Sequence, residues 1–205
     1  MITNKNKLLT KNIIGSSLQI NNILGLITRY AQFPTPVLIT GETGTGKELV
    51  ARGLHYSGSY ADKPFMTVNC STFSDDLFVS ELFGYKKGAF TDAKQNQKGL
   101  IAEAEGGTLF LDEIDSLSLK SQAALLRLLQ EKEYRPIGSN INYEANVRLI
   151  AASNFPLPEL IKQKRFREDL YYRLHILTVR LPALRERKQD IDELATHFLN
   201  KMNRT

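Results

Sequence analysis

Residues Gly41 to Glu48, GETGTGKE, hold the densest run of side chains suited to one kind of chemistry. Gly41, Gly44 and Gly46 allow backbone conformations and close approach that a Cβ would block. Glu42, Thr43 and Thr45 fill the turn between them. A strand-like run precedes this stretch and a helix-like run follows it. In that setting backbone N–H groups and a helix N-terminus face a polyphosphate. Lys47 is then placed to reach the β- and γ-phosphates. Ser or Thr ordinarily follows this lysine and gives its hydroxyl to magnesium, whereas here the residue is Glu48. A carboxylate is also a hard oxygen ligand, so Glu48 keeps a direct or water-mediated route to Mg2+. An ordinary glycine-rich turn would not require both framing glycines and the lysine on pattern.

A second stretch, LFLDEID from Leu109 to Asp115, supplies carboxylates. Its apolar half reads as a strand, which puts Asp112 at a carboxyl end, where open α/β sheets bind ligands. Asp112 is expected to hold magnesium. Glu113 is expected to orient and deprotonate an attacking water. Alone, an Asp-Glu pair would read as acidic residues favouring a helix N-terminus. Together with the phosphate loop, the pair points to hydrolysis of ATP with Mg2+.

These residues need a scaffold, and the rest of the chain describes one. Pro36 to Gly41, Pro64 to Cys70, Gly107 to Glu113 and Val147 to Asn154 are short apolar runs of the kind that form buried parallel strands. Helical patterns lie between them. KELVARGLHYSG puts Leu49, Gly53 and Tyr56 on one face, and SLKSQAALLRLLQEKEY puts Leu125, Leu128 and Leu129 on another, with Ser118 as N-cap. Alternation of strands and helices predicts an α/β fold with a parallel sheet flanked by helices. The segment YRPIGSNINYEANVRL reads as a hairpin around Ser139 and Asn140. Pro182 marks a boundary, after which ERKQDIDELATHFLNKM opens a new amphipathic helix.

The bulk composition narrows the classes. The chain has 205 residues, 42% of them hydrophobic, and a net charge of +5 interleaved with acids, which suits one large domain with a solvated surface. No apolar run is long enough to span a membrane, and the polar opening, MITNKNKLLTKN, lacks a signal core. Cys70 is the single cysteine, which excludes an internal disulfide and suits a cytoplasmic setting. His55, His175 and His197 show no metal-ligand spacing.

Five stretches, GETGTGKE, ELFGYKKGAFT, GGTLFLDEI, FREDLYYRL and LPALRERKQDI, carry a resemblance from about Ile14 to the C-terminal helix. The chain resembles the AAA+ ATPase domain of the sigma-54-dependent transcription activators, the bacterial enhancer-binding proteins. The resemblance implies a P-loop AAA+ core over 1–181, with an inserted loop in a helix and a β-hairpin. It also implies a helical lid that is only begun, over 182–205. Asn69 in VNC matches a residue that holds the water-activating Glu113 in check until the ring is engaged. Asn154 in AASN matches a sensor of the γ-phosphate. Arg167 and Arg173 match arginine fingers that reach into the neighbouring subunit's ATP, and such a finger is worth ~10³-fold or more in rate. Ile14, with Gly15, resembles the segment lining the adenine pocket. The implied partners are sigma-54 RNA polymerase holoenzyme and further copies of the chain in a hexameric ring. DNA would be met only through a domain outside this chain, since the chain stops before a second sensor arginine and before any helix-turn-helix.

The loop Gly88, Ala89, Phe90, Thr91, Asp92, Ala93 departs from the family in one position. The family reads GAFTGA there, at the tip of the loop that contacts sigma-54; this chain has Asp92 for the second glycine. Asp92 adds charge and bulk beside Phe90. Two other readings therefore stand beside the sigma-54 activator: a regulator with the same nucleotide site that does not act through sigma-54, and a fragment that binds ATP without efficient hydrolysis.

Overall fold

The computed structural model describes residues 13–203. The polar opening segment, 1–12, lies outside them. The chain begins with helix α1 (Leu18–Tyr30), strand β1 (Val37–Thr40), helix α2 (Lys47–Tyr56) and strand β2 (Phe65–Asn69). Helix α3 (Asp75–Phe83), the short strands β3 (Gly84–Tyr85) and β4 (Gln97–Lys98), and helix α4 (Leu100–Glu103) follow. Then come β5 (Thr108–Asp112), α5 (Leu119–Glu131), β6 (Glu133–Tyr134), β7 (Tyr143–Glu144) and β8 (Arg148–Ser153). The described chain closes with α6 (Leu157–Lys162), α7 (Glu168–Leu174), β9 (Leu177–Arg180) and α8 (Ile191–Met202).

Five strands form one parallel sheet in the order β2-β5-β8-β1-β9. Strand period explains how it is covered. On β1, Leu38 faces one core with Leu109, Leu111, Leu149 and Ala151, under α3, α5 and α7. Val37 and Ile39 face the other, with Phe110, Ile150 and Ala152, under α1 and α2. Both faces are apolar because both are covered, which is why these strands read as continuous apolar runs. The expected α/β class, the four expected strands and the parallel sheet are all present.

Local signals set several boundaries. Ser118 caps α5, its hydroxyl accepting from the backbone N–H of Ser121 at 3.2 Å, and Leu125, Leu128 and Leu129 lie on the buried face. The hairpin pairs Tyr134 with Tyr143, so Ser139 and Asn140 fall in its connecting loop, and the two tyrosine rings stack at 5.7 Å. Helices α3 and α4 flank the loop that contains Gly88 to Ala93, and β3 pairs with β4 at its base, closing the insertion.

Two details differ from expectation. On α2, Leu49 is exposed, and the inward stripe is Lys47, Val50, Ala51 and Leu54. The phase is set by Lys47, which starts the helix with its amine turned inward; i, i+3, i+4 and i+7 follow from it. The last helix starts at Ile191, not at Glu186. Residues 184–186 and 188–190 form 3-10 turns instead. The Glu186 carboxylate turns back to accept from Ala183 N (2.9 Å) and to pair with Arg180 (2.8 Å), and the Asp190 carboxylate is engaged elsewhere, so neither side chain is free to extend the helix.

One buried group makes the fold sensitive to acid. His55 on α2 has no exposed surface, sits 2.9 Å from the Thr108 hydroxyl, and packs against Tyr56 and Phe65. Burial pushes its pKa from the ordinary 6.5 down to about 4, with the Lys63 carbonyl opposing and the Arg148 charge adding to the fall. The folded-state pKa lies below the unfolded one. The contribution is therefore complete above pH 6.5 and is lost as pH falls toward 4, on the order of 3 kcal/mol in all. Urea midpoints of the parent should hold steady from pH 8 to about 7 and fall below it. In His55→Gln, which cannot titrate, that part of the fall should vanish, so the gap between parent and variant should narrow in acid.

Candidate active site

The carboxyl ends of β1, β5 and β8 meet at one edge. Gly41 leaves β1 with its N–H donating to the Ser153 carbonyl of β8 at 3.3 Å. The chain then turns through Gly44 and Gly46, whose φ values of +80° and +98° are open to glycine and costly for other residues. Thr45 closes the turn by donating its hydroxyl to the Glu42 carbonyl at 2.7 Å. Helix α2 starts at once, so its first N–H groups face the space above the sheet.

Lys47 is 6% exposed, and its Nζ donates to the carbonyls of Gly41 (2.9 Å) and Glu42 (3.0 Å). Burial pushes its pKa down; the charges of Asp112, Asp115 and Glu113 oppose that shift. The Asp112 carboxyl is pushed up by burial, against the Glu113 backbone N–H, which donates to its Oδ1 at 2.9 Å, and the Lys47 charge. Glu113 has φ 54°, a left-handed conformation that turns the chain sharply off β5 into a 3-10 turn. Such a backbone is sparsely populated by non-glycine residues and clusters at functional sites.

Asn154 follows β8 at the same edge. Its backbone N–H and the Ser153 hydroxyl both donate to Asp115 Oδ1 at 2.9 Å. Asp115 thus ties the end of β8 to the turn after β5, a role no sequence spacing announced. Asn69 stands beside Asp112 in the β2–β5 register. Its side-chain oxygen accepts from the N–H (2.9 Å) and hydroxyl (2.8 Å) of Ser71, capping a 3-10 turn. No hydrogen bond joins Asn69 to Glu113 among the described residues.

Glu48 points along its own helix, where Oε1 accepts from Arg52 Nε (2.9 Å) and a terminal nitrogen (2.7 Å). Among the described residues no cluster of three or more His, Cys, Asp or Glu side chains forms a closed metal cage. Asp112 alone suits magnesium, which is usually held by one or two carboxylates and completed by substrate phosphates and water, whereas the Glu48 carboxylate would first have to release Arg52.

A cavity of about 940 Å³ opens beside the loop. Residues 42–46 form its polar end, and Ile13, Ile14, Ile20, Leu181 and Ile191 are among its apolar walls. That division suits a nucleotide: phosphates on backbone amides, base between aliphatic side chains. Arg185 also lines it, with its guanidinium paired two-fold with Glu42 and one contact at 2.7 Å.

Arg167 and Arg173 lie outside this cavity. Arg167 opens α7, its guanidinium bonded to Asp169 at 2.7 and 3.0 Å and its backbone N–H donating to the buried Gln122 side chain at 2.8 Å. It borders a separate groove of about 680 Å³ between α3, α5 and the hairpin. Arg173 is exposed and has no ion pair among the described residues. No side chain of the Gly88–Ala93 loop lines the nucleotide cavity either. That loop is closed by Gly88 N–H to Ala93 carbonyl (2.8 Å) and Ala93 N–H to Phe90 carbonyl (3.0 Å). Phe90 leans its ring on Tyr85 at 4.8 Å yet stays 43% exposed. Asp92 is exposed and its φ is not positive, so this backbone makes no demand for glycine there.

A five-stranded parallel sheet, a glycine loop between its strand β1 and the helix α2, and an acidic pair ending β5 define a P-loop ATPase domain of the AAA+ class. The family model for the sigma-54 interaction domain matches residues 13–180, and the chain belongs to that family. It is 46% identical over 192 residues to the Nif-specific regulatory protein of Azotobacter vinelandii, covering 94% of this chain and 37% of that protein. It is 48% identical over 189 residues to the transcriptional regulatory protein ZraR of Salmonella typhimurium, covering 92% and 43%. The chain thus spans about two fifths of the length of these relatives. Among solved structures, NtrX from Brucella abortus in complex with ATP matches with a TM-score of 0.85 at 35% identity, over 92% of this chain and 41% of that one. The P-loop NTPase domain of a sigma-54 activator from E. coli shares the fold, with a TM-score of 0.56 at 24% identity, over 83% of this chain and 99% of that one.

The buried amine at the loop yields a direct expectation. Lys47→Ala should weaken ATP binding by about 10- to 100-fold, the worth of charge-assisted hydrogen bonds to phosphate. Calorimetric titration with ATP checks it, and an unchanged affinity would remove Lys47 from the phosphates.

Proposed function

We propose that this domain hydrolyses ATP with Mg2+ at an interface between two copies of itself, and that the cycle remodels sigma-54 RNA polymerase holoenzyme. One observation carries the interface: the phosphate loop, Asp112 and Glu113 share one edge of the sheet, while Arg173 on α7 is exposed and has no ion pair among the described residues. A guanidinium that is always charged is suited to developing phosphate charge, and a neighbouring copy can supply it. A closed ring is the arrangement in which every site gains such a donor. The expected hexamer belongs to this proposal, as do the division into a core over 1–181 and the start of a lid over 182–205, a cytoplasmic location, and DNA contact through another domain. Among the described residues no helix is long and apolar enough to cross a membrane.

In this reading the loop amides bind the β- and γ-phosphates and Lys47 exchanges the carbonyls of Gly41 and Glu42 for phosphate oxygens. Asp112 would hold Mg2+, with Glu48 once its carboxylate releases Arg52, and the ion would supply positive charge to the phosphates. Ile14 walls the base. Glu113 takes a proton from water as its oxygen bonds to the γ-phosphorus and the bond to the bridging oxygen of ADP breaks. Asn154 monitors the γ-phosphate, and Asn69 restrains Glu113 once its side chain leaves Ser71. Phe90 and Thr91 present the contact surface to sigma-54; an exposed aromatic on a closed loop is suited to a partner's pocket.

Glu113→Gln should keep ATP affinity and lose turnover by ~10²-fold or more, the worth of general-base assistance. Arg173→Ala and Lys47→Ala should each be inactive alone, and mixing them should restore part of the hydrolysis through hybrid interfaces. No recovery on mixing would confine the arginine's role to its own subunit.

Asp92 supports the second reading, a regulator that uses this nucleotide site without sigma-54. A carboxylate beside Phe90 must be desolvated when the loop tip is covered, and an unpaired buried charge is costly. Asp92→Gly should raise capture of sigma-54 in the presence of an ATP transition-state mimic and leave basal ATPase unchanged. Absence of capture by parent and variant alike would favour the second reading.

A further inference from the structure

The linker 183–190 lines the nucleotide cavity with Ala183, Leu184, Arg185 and Arg187, and ends on a buried carboxylate that the hydrolytic chemistry does not use. Asp190 has no exposed surface. Its Oδ1 accepts from Ser16 N (3.0 Å) and Ser17 N (2.8 Å), and its Oδ2 from the Ser17 hydroxyl (2.7 Å). Arg187, also buried, brings its guanidinium to 3.9 Å. Burial would push the Asp190 carboxyl up, but the hydrogen bonds from Ser17 and Ser16 and the Arg187 charge outweigh it and hold it below the usual range. The carboxylate thus accepts three hydrogen bonds from a segment far away in the chain.

Gly15 shows how tightly the two pieces meet. Its φ is +143°, and an added Cβ would fall 2.8 Å from the Asp190 carboxyl carbon. Only glycine provides both the conformation and the room. The residues next to this contact on each strand of chain line the apolar end of the nucleotide cavity. Ile13 and Ile14 precede it, and Ile191 and Leu194 follow it. The walls facing a base are therefore carried by two separate segments that this one cluster clamps together.

We propose that Asp190 is a positioning residue for the nucleotide base: by fastening segment 13–17 to the linker before α8 it fixes the spacing of the aliphatic walls between which a purine is held. The proposal rests on the ATP-binding reading of the cavity. The clamp contributes affinity through the base and none through the phosphates, because its pieces flank the apolar end and the phosphate loop is built separately by β1 and α2.

That division supplies a test with two probes, ATP and inorganic tripolyphosphate, titrated calorimetrically against the full chain. Asp190→Asn keeps the size and loses the charge that all three donors meet. It should weaken ATP by about tenfold, the worth of a charge-assisted hydrogen bond, and leave tripolyphosphate binding within error. Gly15→Ala, which pushes the segment off the carboxylate, should behave alike. Ser17→Ala keeps both backbone N–H donors and secures the test should the other variants fold poorly; it should weaken ATP by a smaller factor of about 2 to 3, again without effect on tripolyphosphate. Equal loss of both probes in the folded variants, or unchanged ATP affinity in Ser17→Ala and Asp190→Asn, would overturn the proposal. A parent that binds tripolyphosphate but gains nothing from the base would overturn it as well, with the phosphate loop intact. A parent that binds neither probe would instead overturn the nucleotide reading on which it rests.

Discussion

A buried ammonium is the constraint around which this domain is arranged. Lys47 starts α2 with its amine turned inward, 6% exposed, where an unpaired charge would be expensive. Two loop carbonyls receive it, and Asp112, Asp115 and Glu113 surround it with opposite charge. That environment exists because the strand order brings β1, β8 and β5 side by side in parallel, so that their carboxyl ends share an edge. The apolar content of the strands follows from the same arrangement, since both sheet faces are covered by helices. The inward stripe of α2 follows too, because Val50, Ala51 and Leu54 continue the face that Lys47 begins.

The same edge explains a division of labour. The phosphate loop, Asp112 and Glu113 are gathered in one chain at that edge. Arg173 of α7 and Phe90 of the loop are exposed instead, with Arg167 held by Asp169. Arg167 is not loose: Gln122, a buried residue of α5, accepts from its backbone N–H and donates to the carbonyls of Leu117 and Arg165. A buried amide with its polar atoms satisfied is a rigid mount. At the mouth, the Arg185–Glu42 pair ties the phosphate loop to the linker that leads to α8. Exposed pairs of this kind contribute little to stability; its interest is that the loop and the linker are joined beside the nucleotide cavity.

Local chemistry in the sequence made the sheet, the phosphate loop, the acidic pair and the Ser118 cap legible. Each rests on neighbours in the chain: an apolar run, glycines at set intervals, a hydroxyl just before a helix. What was not legible depends on contacts between distant residues. The start of α8 shifted to Ile191 because Glu186 and Asp190 were drawn to other partners, the latter 173 residues away at Ser17. The phase of α2 needed to know that a lysine, not Leu49, would point inward. Asp115 and Gln122 act through long-range hydrogen bonds that leave no periodic trace. Asn69 shows the converse: a resemblance named a partner, Glu113, whereas the side chain caps its own turn at Ser71. Asp92 illustrates a third case. The backbone there has no positive φ, so the glycine-to-aspartate departure acts through the charge and bulk that the residue type itself announces.

In the proposed cycle a second copy of the chain completes the catalytic site. The most direct test is the ATPase rate per chain measured across a wide range of protein concentration at saturating ATP and Mg2+, with association followed in parallel by sedimentation. The expected specific rate is near zero for the dilute monomer, climbs steeply as the chains associate and then levels off. A specific rate independent of concentration, persisting where sedimentation finds monomer alone, would contradict it.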